Sequence, residues 1–198
     1  MNIYEDGINL RLDERRLSEQ LDTSRTPIRE ALARLEQEGL VRIVPRKGVY
    51  IVRKSKAEIL EMIILWAALE SMAGRLATER ASDSEIAALR SIFSTFQDGQ
   101  VQARIDEYSI ANIEFHQSII DMSQCDLLKE TASNIFLHVR GIRSRTISDL
   151  GRAKRSIIDH IHIIEALESR NPELTEQLVR DHALSLAEHV SENVSYLD

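Results

Sequence analysis

Two short amphipathic segments joined by a polar connection limit what the first third of this chain can form. Residues 12–21 and 24–38 each place leucine or isoleucine at helical spacing. Residues 41–44 and 49–52 are β-branched runs on either side of the turn 45–48, and this arrangement predicts a hairpin. Helix, turn, helix and hairpin in this order predict a winged helix-turn-helix, with the hairpin tip as the wing.

The second of these helices begins with side chains suited to reading DNA. Arg25 and Arg29 lie one turn apart near its N-terminus, with the hydroxyls of Ser24 and Thr26 beside them. Arginine can contact guanine in the major groove, and hydroxyls can bind phosphate oxygens. Ile28, Ala31, Leu32 and Leu35 are expected to form the opposite, apolar face. The alternative is an ordinary solvated face, but the cationic hairpin tip of Arg46, Lys47 and Gly48 favours DNA binding.

The charge of the chain is divided unevenly. The net charge is −7, from 25 basic and 32 acidic residues, yet residues 1–54 are slightly basic and the remainder is strongly acidic. This charge asymmetry, together with the change to long helical patterns after residue 54, predicts two domains, 1–54 and 55–198. A single cysteine excludes an intramolecular disulfide, and the sequence contains neither a signal peptide nor an apolar run of membrane-spanning length. These features predict a cytoplasmic protein.

The second domain is predicted to be all α-helical. Ser55 with Glu58, and Ser82 with Glu85, have the spacing of capping boxes, and Asn171-Pro172 has the pattern of an N-cap followed by proline. Scarce glycine and proline support long helices with short connections. Six helices are expected, at residues 56–80, 83–98, 102–122, 125–146, 149–169 and 172–196.

All six histidines of the chain fall in this helical part. Asn112 and His116 share one helix face, as do His182 and His189. Facing helices of a bundle can supply ligands to one metal ion, and neutral imidazoles suit transition metals. From spacing alone, a histidine on an apolar stripe is more often a core residue, so both interpretations stay open.

The first 54 residues resemble the winged helix-turn-helix of the GntR family of bacterial transcription regulators. The resemblance rests on SRTPIREAL, the EGLV after it and the PRKG turn. Family members carry a further helix before this region, so the resemblance implies that the first helix is shortened here. It also implies DNA contacts from Arg15, Ser24, Arg25, Thr26, Arg29, Arg46, Lys47 and Gly48.

Residues 57–190 resemble the FCD effector domain of the FadR branch of that family. The segments NIEFHQSI, DHIHIIEAL and RDHALSLAEHV carry this resemblance, and six helices favour the VanR-like subgroup. It implies a divalent metal, zinc or nickel, with asparagine in place of the usual aspartate among the ligands. The implied ligands are Asn112, His116, His160 and His182, while His138, His162 and His189 are assigned structural roles.

The resemblance also implies candidates for binding an effector. Family members often show R-x-x-L-E in the first effector-domain helix, where this chain has Trp66-Ala67-Ala68-Leu69-Glu70. Trp66 makes that end of the expected pocket apolar or is core packing. Arg140 and Arg143 are the remaining cations that could bind an anionic effector, and a solvated helix face is the alternative for both.

Together these features predict a dimeric regulator, of the repressor type, that binds operator DNA and responds to a carboxylate effector near a metal. Two alternatives stay open. The ion itself could be the effector, or the helical domain could be a metal-dependent hydrolase. No separately placed general base is evident, so an enzyme is not expected.

Overall fold

A computed structural model describes residues 10–96, 104–149, 151–195 and 197 of this chain. The chain divides into two compact units, Met1–Lys54 and Ser55–Asp198. The first unit contains β1 (Arg11–Leu12), α1 (Glu14–Gln20), α2 (Arg25–Gln37), β2 (Val41–Val44) and β3 (Gly48–Ile51). The second contains α3 (Lys56–Arg80), α4 (Asp83–Phe93), a 3₁₀ turn (Ser94–Phe96), α5 (Ile105–Met122), α6 (Asp126–Thr146), α7 (Arg152–Glu168) and α8 (Pro172–Asn193).

The first unit is the predicted winged helix-turn-helix. Its antiparallel sheet has the strand order β1-β3-β2, and the hairpin register places Val41 opposite Ile51 and Val44 opposite Gly48. Gly39, at a φ of +73°, follows α2 in the left-handed conformation that commonly ends a helix. A small apolar core of Ile28, Leu32, Val41 and Val49 holds α2 against the hairpin.

One expectation for α2 is wrong. Ala31 is exposed, although the pattern predicted it on the buried face with Ile28 and Leu32. The core of this unit is so small that it covers only a narrow stripe of the helix, and Leu35 at its edge is only partly buried.

The second unit is a helical bundle, and three of its helices begin at the predicted N-caps. Ser55 and Ser82 both form complete capping boxes, and the Asn171 side chain accepts a hydrogen bond from the Leu174 amide. The main boundary difference is α4, which ends at Phe93 and continues as a 3₁₀ turn. The helix predicted at 172–196 ends at Asn193. Residues 1–9, to which the resemblance assigns a shortened first helix, and residues 97–103 lie outside the described part.

α3 and α8 pack closely in this bundle because Gly74 lets the two helices approach. A Cβ atom added at Gly74 would lie 3.1 Å from Cγ2 of Val179 and 3.3 Å from Cγ2 of Thr175, both on α8. The same two helices carry Glu70 and His182, two members of the site described below. In the described residues, no helix is long and apolar enough to cross a membrane.

Candidate DNA-binding surface and buried histidine cluster

The predicted DNA-contacting residues lie at the N-terminus of α2 and at the tip of the hairpin. Ser24 is the N-cap of α2 but makes no side-chain capping hydrogen bond, so its hydroxyl is not used within the helix end. Arg25 and Thr26 occupy the first turn, and both are exposed. This end of the helix therefore presents donors to the outside.

Two of the predicted arginines form ion pairs within the unit. Nε of Arg29 lies 2.8 Å from Oε2 of Glu14 on α1, and Nε of Arg15 lies 2.9 Å from Oε1 of Glu19. Both arginine side chains remain mostly exposed. Such surface pairs contribute little stability, so a phosphate or a base can compete for the guanidinium at small cost.

The hairpin tip has a left-handed backbone. Arg46 has a φ of +64° and Gly48 a φ of +121°. The backbone at Gly48 requires glycine, because side chains rarely adopt this φ; a Cβ atom there would also lie 3.1 Å from Nε of Arg11 on β1, whose flexible side chain could shift. The turn projects Arg46 and Lys47 outward, and both are exposed.

In the second unit, the structure brings three of the four predicted metal ligands together. His116 from α5, His160 from α7 and His182 from α8 each offer a ring nitrogen, and these atoms lie within 4.8 Å of one another. The Nε2 atoms of His160 and His182 are 3.1 Å apart. All three rings are buried. We call these residues the histidine cluster.

Each ring of the histidine cluster has a partner on its other nitrogen. Nδ1 of His116 donates to the buried carboxylate of Glu70 on α3, and Nδ1 of His182 lies 3.0 Å from Oδ2 of Asp159. Nδ1 of His160 is 3.3 Å from the Tyr108 hydroxyl. Partners of this kind fix the ring orientation and direct the opposite nitrogens toward one point, as around many metal ions.

A guanidinium lies against the same cluster. Nη1 of Arg143 hydrogen-bonds Nε2 of His116 and lies 3.4 Å from Nε2 of His182. Nη2 of Arg143 is 3.6 Å from Oε2 of Glu70, and this side chain is 3% exposed. Among the described residues, Nε and Nη2 of Arg143 have no hydrogen-bond partner. Two unpartnered donors at full burial leave the guanidinium able to bind an acceptor, such as a water or a carboxylate oxygen.

The other predicted residues divide between this cluster and the surface. Asn112 is buried one turn before His116, where its Oδ1 accepts a 3.4 Å hydrogen bond from the Ser156 hydroxyl. Trp66 is buried, and its indole N–H donates to Oε2 of Glu70 at 2.6 Å. Arg140 is exposed, whereas every member of the cluster is buried, so the structure does not bring this residue to the site.

Burial sets the protonation of the cluster. It lowers the pKa of His116 and of His160 well below the usual range, with the charge of Arg143 acting in the same direction. Burial also lowers the pKa of His182 to about 4, although Asp159 opposes that shift. The rings are therefore neutral at pH 7, the form in which imidazole binds metals. Burial raises the pKa of Glu70, against the opposing charge of Arg143.

This donor set fits a transition-metal ion. Three neutral imidazoles with anchored Nδ1 atoms match the ligands that zinc and nickel accept. The asparagine at position 112 brings no negative charge, and the guanidinium of Arg143 adds a positive one. The arrangement therefore favours metals that bind nitrogen over hard cations that need carboxylates.

Sequence reasoning missed Asp159, Tyr108 and Arg152 and assigned no role to the carboxylate of Glu70. Arg152 is buried at the first position of α7, an unfavourable place for a cation because the helix dipole is positive there. The position of Arg152 was the one signal that the sequence offered for any of these four residues. Asp159, Tyr108 and Glu70 meet the cluster only through packing between helices.

Comparison with known proteins identifies both units. Residues 8–51 match the profile described as "Bacterial regulatory proteins, gntR family", and residues 59–185 match the FCD domain. The Nta operon transcriptional regulator of Aminobacter aminovorans is 34% identical over 172 residues, 87% of this chain and 80% of that protein. The chain belongs to the GntR family, with a C-terminal FCD domain. This confirms the resemblance of both units to that family.

Other relatives agree with this assignment. The HTH-type transcriptional repressor RspR of Escherichia coli K12 is 24% identical over 90% of this chain and 78% of its own length. The solved structure of E. coli McbR/YncC has the same fold, with a TM-score of 0.78 and 23% identity, over 93% of this chain and 88% of that one. This GntR protein is therefore a DNA-binding transcription regulator, and its family is one of regulators rather than hydrolases.

Proposed function

We propose that this regulator is a repressor whose operator binding is modulated by a small carboxylate effector bound at the histidine cluster. The observation that carries the proposal is the buried guanidinium of Arg143, which has two donors without acceptors beside three convergent imidazoles. A carboxylate oxygen is the acceptor that such donors bind best. Relatives described as repressors support the direction of regulation.

A zinc or nickel ion is the second part of the proposal. His116, His160 and His182 would hold it through Nε2, with Asn112 as a neutral fourth ligand, once Nη1 of Arg143 has left the hydrogen bond that it donates to Nε2 of His116. Such an ion supplies a Lewis-acidic position for an effector oxygen. Glu70 and Asp159 would hold two of the rings in the required tautomer through their Nδ1 atoms. Trp66 fixes Glu70 and closes that side of the cluster with apolar surface.

DNA recognition is assigned to the surface at the start of α2 and at the hairpin tip. A helix that enters the major groove reads base edges with its N-terminal residues. Arg25 and Arg29 are proposed to contact bases, because a guanidinium group can donate two hydrogen bonds to one guanine, at O6 and N7. The other predicted contacts are assigned to phosphates and to the flanking groove, and they come from Arg15, Ser24, Thr26, Arg46, Lys47 and Gly48.

A homodimer would present two such surfaces to a pseudo-palindromic operator. The stripe of exposed apolar residues on α3 supports it, with Ile64 56%, Leu65 47% and Met72 43% exposed. These side chains share one helix face, as an interface between two copies requires. Leu65→Glu should yield monomers in light scattering, whereas Leu174→Glu, at an exposed leucine of α8, should leave the dimer intact. Dimers of the Leu65 variant would contradict this assignment.

The alternative from the same cluster is a metal sensor, in which the ion alone controls DNA binding. The two proposals differ in one measurement. Operator affinity of chelator-treated protein is followed by fluorescence anisotropy, with an operator selected from random duplexes, while zinc or nickel is added. An ion that acts as a cofactor should leave operator affinity within about twofold of the value for chelator-treated protein. An ion that acts as the effector should change that affinity by the 5–150-fold typical of allosteric coupling.

The effector proposal is tested on the purified regulator. Metal content is measured by elemental analysis, and small molecules released on denaturation are identified by mass spectrometry. A carboxylate recovered in this way should weaken operator binding by wild-type protein and have no effect on an Arg143→Met variant. An unchanged response of that variant would refute the assignment of Arg143.

A further inference from the structure

Arg152 occupies a place where a cation is doubly unfavourable. It is the first residue of α7, a 17-residue helix whose N-cap is Gly151 and whose N-terminus has no side-chain cap. Its side chain is nevertheless buried, with the residue only 6% exposed. Burial removes water from the charge, and the helix dipole adds positive potential at the same end.

The charge of Arg152 has no buried partner in the described part of the chain. Apart from the histidines and Tyr108, the buried ionisable side chains there are Arg143, Arg152 and one carboxyl group, Glu70, and Glu70 lies beside Arg143. Nε of Arg152 has no hydrogen-bond partner among the residues that the structure describes. Burial and the nearby charge of Arg143 lower the pKa of Arg152 to about 10, so the group is still cationic at pH 7.

The acidic side chains near Arg152 are engaged elsewhere. The Asp149 carboxylate lies 2.9 Å from Nε2 of His189, and the Asp159 carboxylate lies 3.0 Å from Nδ1 of His182. Both carboxylates are more than 40% exposed and therefore remain largely hydrated. Neither replaces the hydration that Arg152 has lost.

A cavity opens beside this side chain. It lies between α7 and α8, has a volume of about 440 Å³ and is lined by Arg152, Ser156 and His182 among others. That volume is typical of a site for a small molecule. Because His182 belongs to the histidine cluster, the cavity adjoins that cluster at this one residue.

The lining also restricts the charge of a ligand. Besides Arg152 and Arg155, the cavity is lined by four carboxylate side chains, from Asp159, Asp181, Glu188 and Glu192. One carboxylate of a ligand can be held by Arg152 at the helix N-terminus. A second negative charge would face the acidic residues and be repelled.

We propose that the cavity between α7 and α8 binds a small organic monocarboxylate through Arg152, which selects one negative charge against two. This inference rests on the proposed effector function and adds to it a second guanidinium for the carboxylate, near Arg143, and the class of acid that fits.

The test uses the full-length protein and two acids with the same four-carbon chain, butyrate and succinate. Thermal unfolding is followed at constant ionic strength, with chloride as the reference. Butyrate at one hundred times its Kd should raise Tm by about 5–10 °C. Succinate should raise it by less than half of that. A Tm with butyrate equal to that with chloride, or an equal effect of succinate, would overturn the proposal.

Two variants separate Arg152 from the rest of the cavity. Arg152→Met should abolish the butyrate effect, whereas Arg155→Met, at an exposed arginine of the same lining, should retain it. In chloride, the Arg152 variant should melt no lower than wild type, because it removes an unpartnered buried charge. Should that variant fail to fold, Arg152→Lys serves instead and should reduce the butyrate effect at least threefold. Retention of the full butyrate effect in Arg152→Met, or in Arg152→Lys where that variant is used, contradicts the proposal.

DNA binding distinguishes this inference from the proposed function. Butyrate that stabilises the protein through Arg152 but leaves operator affinity unchanged would support the anion site and contradict the effector function. Loss of both responses in Arg152→Met would support both.

Discussion

The indole N–H of Trp66 donates a 2.6 Å hydrogen bond to Oε2 of Glu70, one helical turn farther along α3. The other oxygen of that carboxylate accepts from Nδ1 of His116. The tryptophan that the sequence analysis gave as an apolar end of the effector pocket or as core packing is therefore the start of a chain of hydrogen bonds. That chain ends at the imidazole nitrogen facing the centre of the histidine cluster.

Loss of this hydrogen bond should weaken metal binding. Trp66→Phe keeps an aromatic ring beside Phe136, whose centroid is 5.2 Å away, but leaves the Glu70 carboxylate without one donor. Residues that orient metal ligands typically affect affinity 10–100-fold, so we expect a loss of about tenfold for zinc, measured by competition with a chromophoric chelator. Glu70→Gln should lose more. Unchanged zinc affinity in both variants would show that this chain of hydrogen bonds does not orient His116.

Operator binding should depend on where an arginine lies along α2. Arg25→Ala and Arg29→Ala should each weaken binding to the selected operator by about 1–3 kcal/mol. Arg34→Ala removes an equal charge from the last turn of the same helix and is the matched control. Fluorescence anisotropy measures all three. Equal losses at the three positions would mean that general charge, rather than placement at the N-terminus of α2, carries recognition.

The ion pair between Arg29 and Glu14 leads to a prediction of opposite sign. Nε of Arg29 lies 2.8 Å from the Glu14 carboxylate, which is 32% exposed and competes with DNA for the guanidinium. Glu14→Gln should strengthen operator binding by up to about 1 kcal/mol, the range for exposed ion pairs. In an Arg29→Ala background, the same change should have a smaller effect. A decrease in affinity on Glu14→Gln would contradict this interpretation.

The close approach of α3 and α8 should be sensitive to one methyl group. Gly74→Ala places a Cβ atom 3.1 Å from Cγ2 of Val179, so the helices must separate or side chains must shift. Overpacking of this kind lowers the free energy of unfolding by about 1–3 kcal/mol. Denaturant unfolding measures this loss, and Tm should fall as well. The double variant with Val179→Ala should recover part of the loss, since it removes the atoms in contact. A Gly74→Ala protein as stable as wild type would show that this contact is easily relieved.

The histidine cluster should make the chelator-treated protein acid-sensitive. The pKa of each ring is lowered in the folded state by burial, to about 4 for His182. The unfolded chain therefore binds more protons as the pH falls below the usual value of about 6.5. Stability should be unaffected by these rings above that pH and fall between about pH 6.5 and pH 4, by up to about 1.4 kcal/mol per pH unit for each histidine. His160→Asn should flatten the slope measured in urea.

Much of the fold could be predicted because it depends on local signals. Capping boxes at Ser55 and Ser82 and the proline after Asn171 fix where three helices begin, and Gly39 ends another. These signals act within a few residues and can therefore be recognised in a single sequence. The ends of α4 and α8 lack such a signal, and there the predicted boundaries ran several residues too far.

The site was predictable only in part because its members meet through packing. The spacing of Asn112 and His116 indicated a shared helix face, and the resemblance to the FCD domain supplied His160 and His182. Neither indicated that Arg143 would be buried against the cluster while Arg140 is exposed. Periodicity describes one helix at a time, and the inward side of α6 is set by its neighbours.

The histidine cluster together with Glu70 and Arg143 takes one side chain from each of five helices, with Glu70 at one extreme of the sequence and His182 at the other. No fragment of the domain shorter than this span contains all five groups. A chain emerging from the ribosome therefore acquires the complete set only after α8 has been synthesised and packed. Occupancy of this site would thus report that synthesis has passed α8 and that the five helices have packed together.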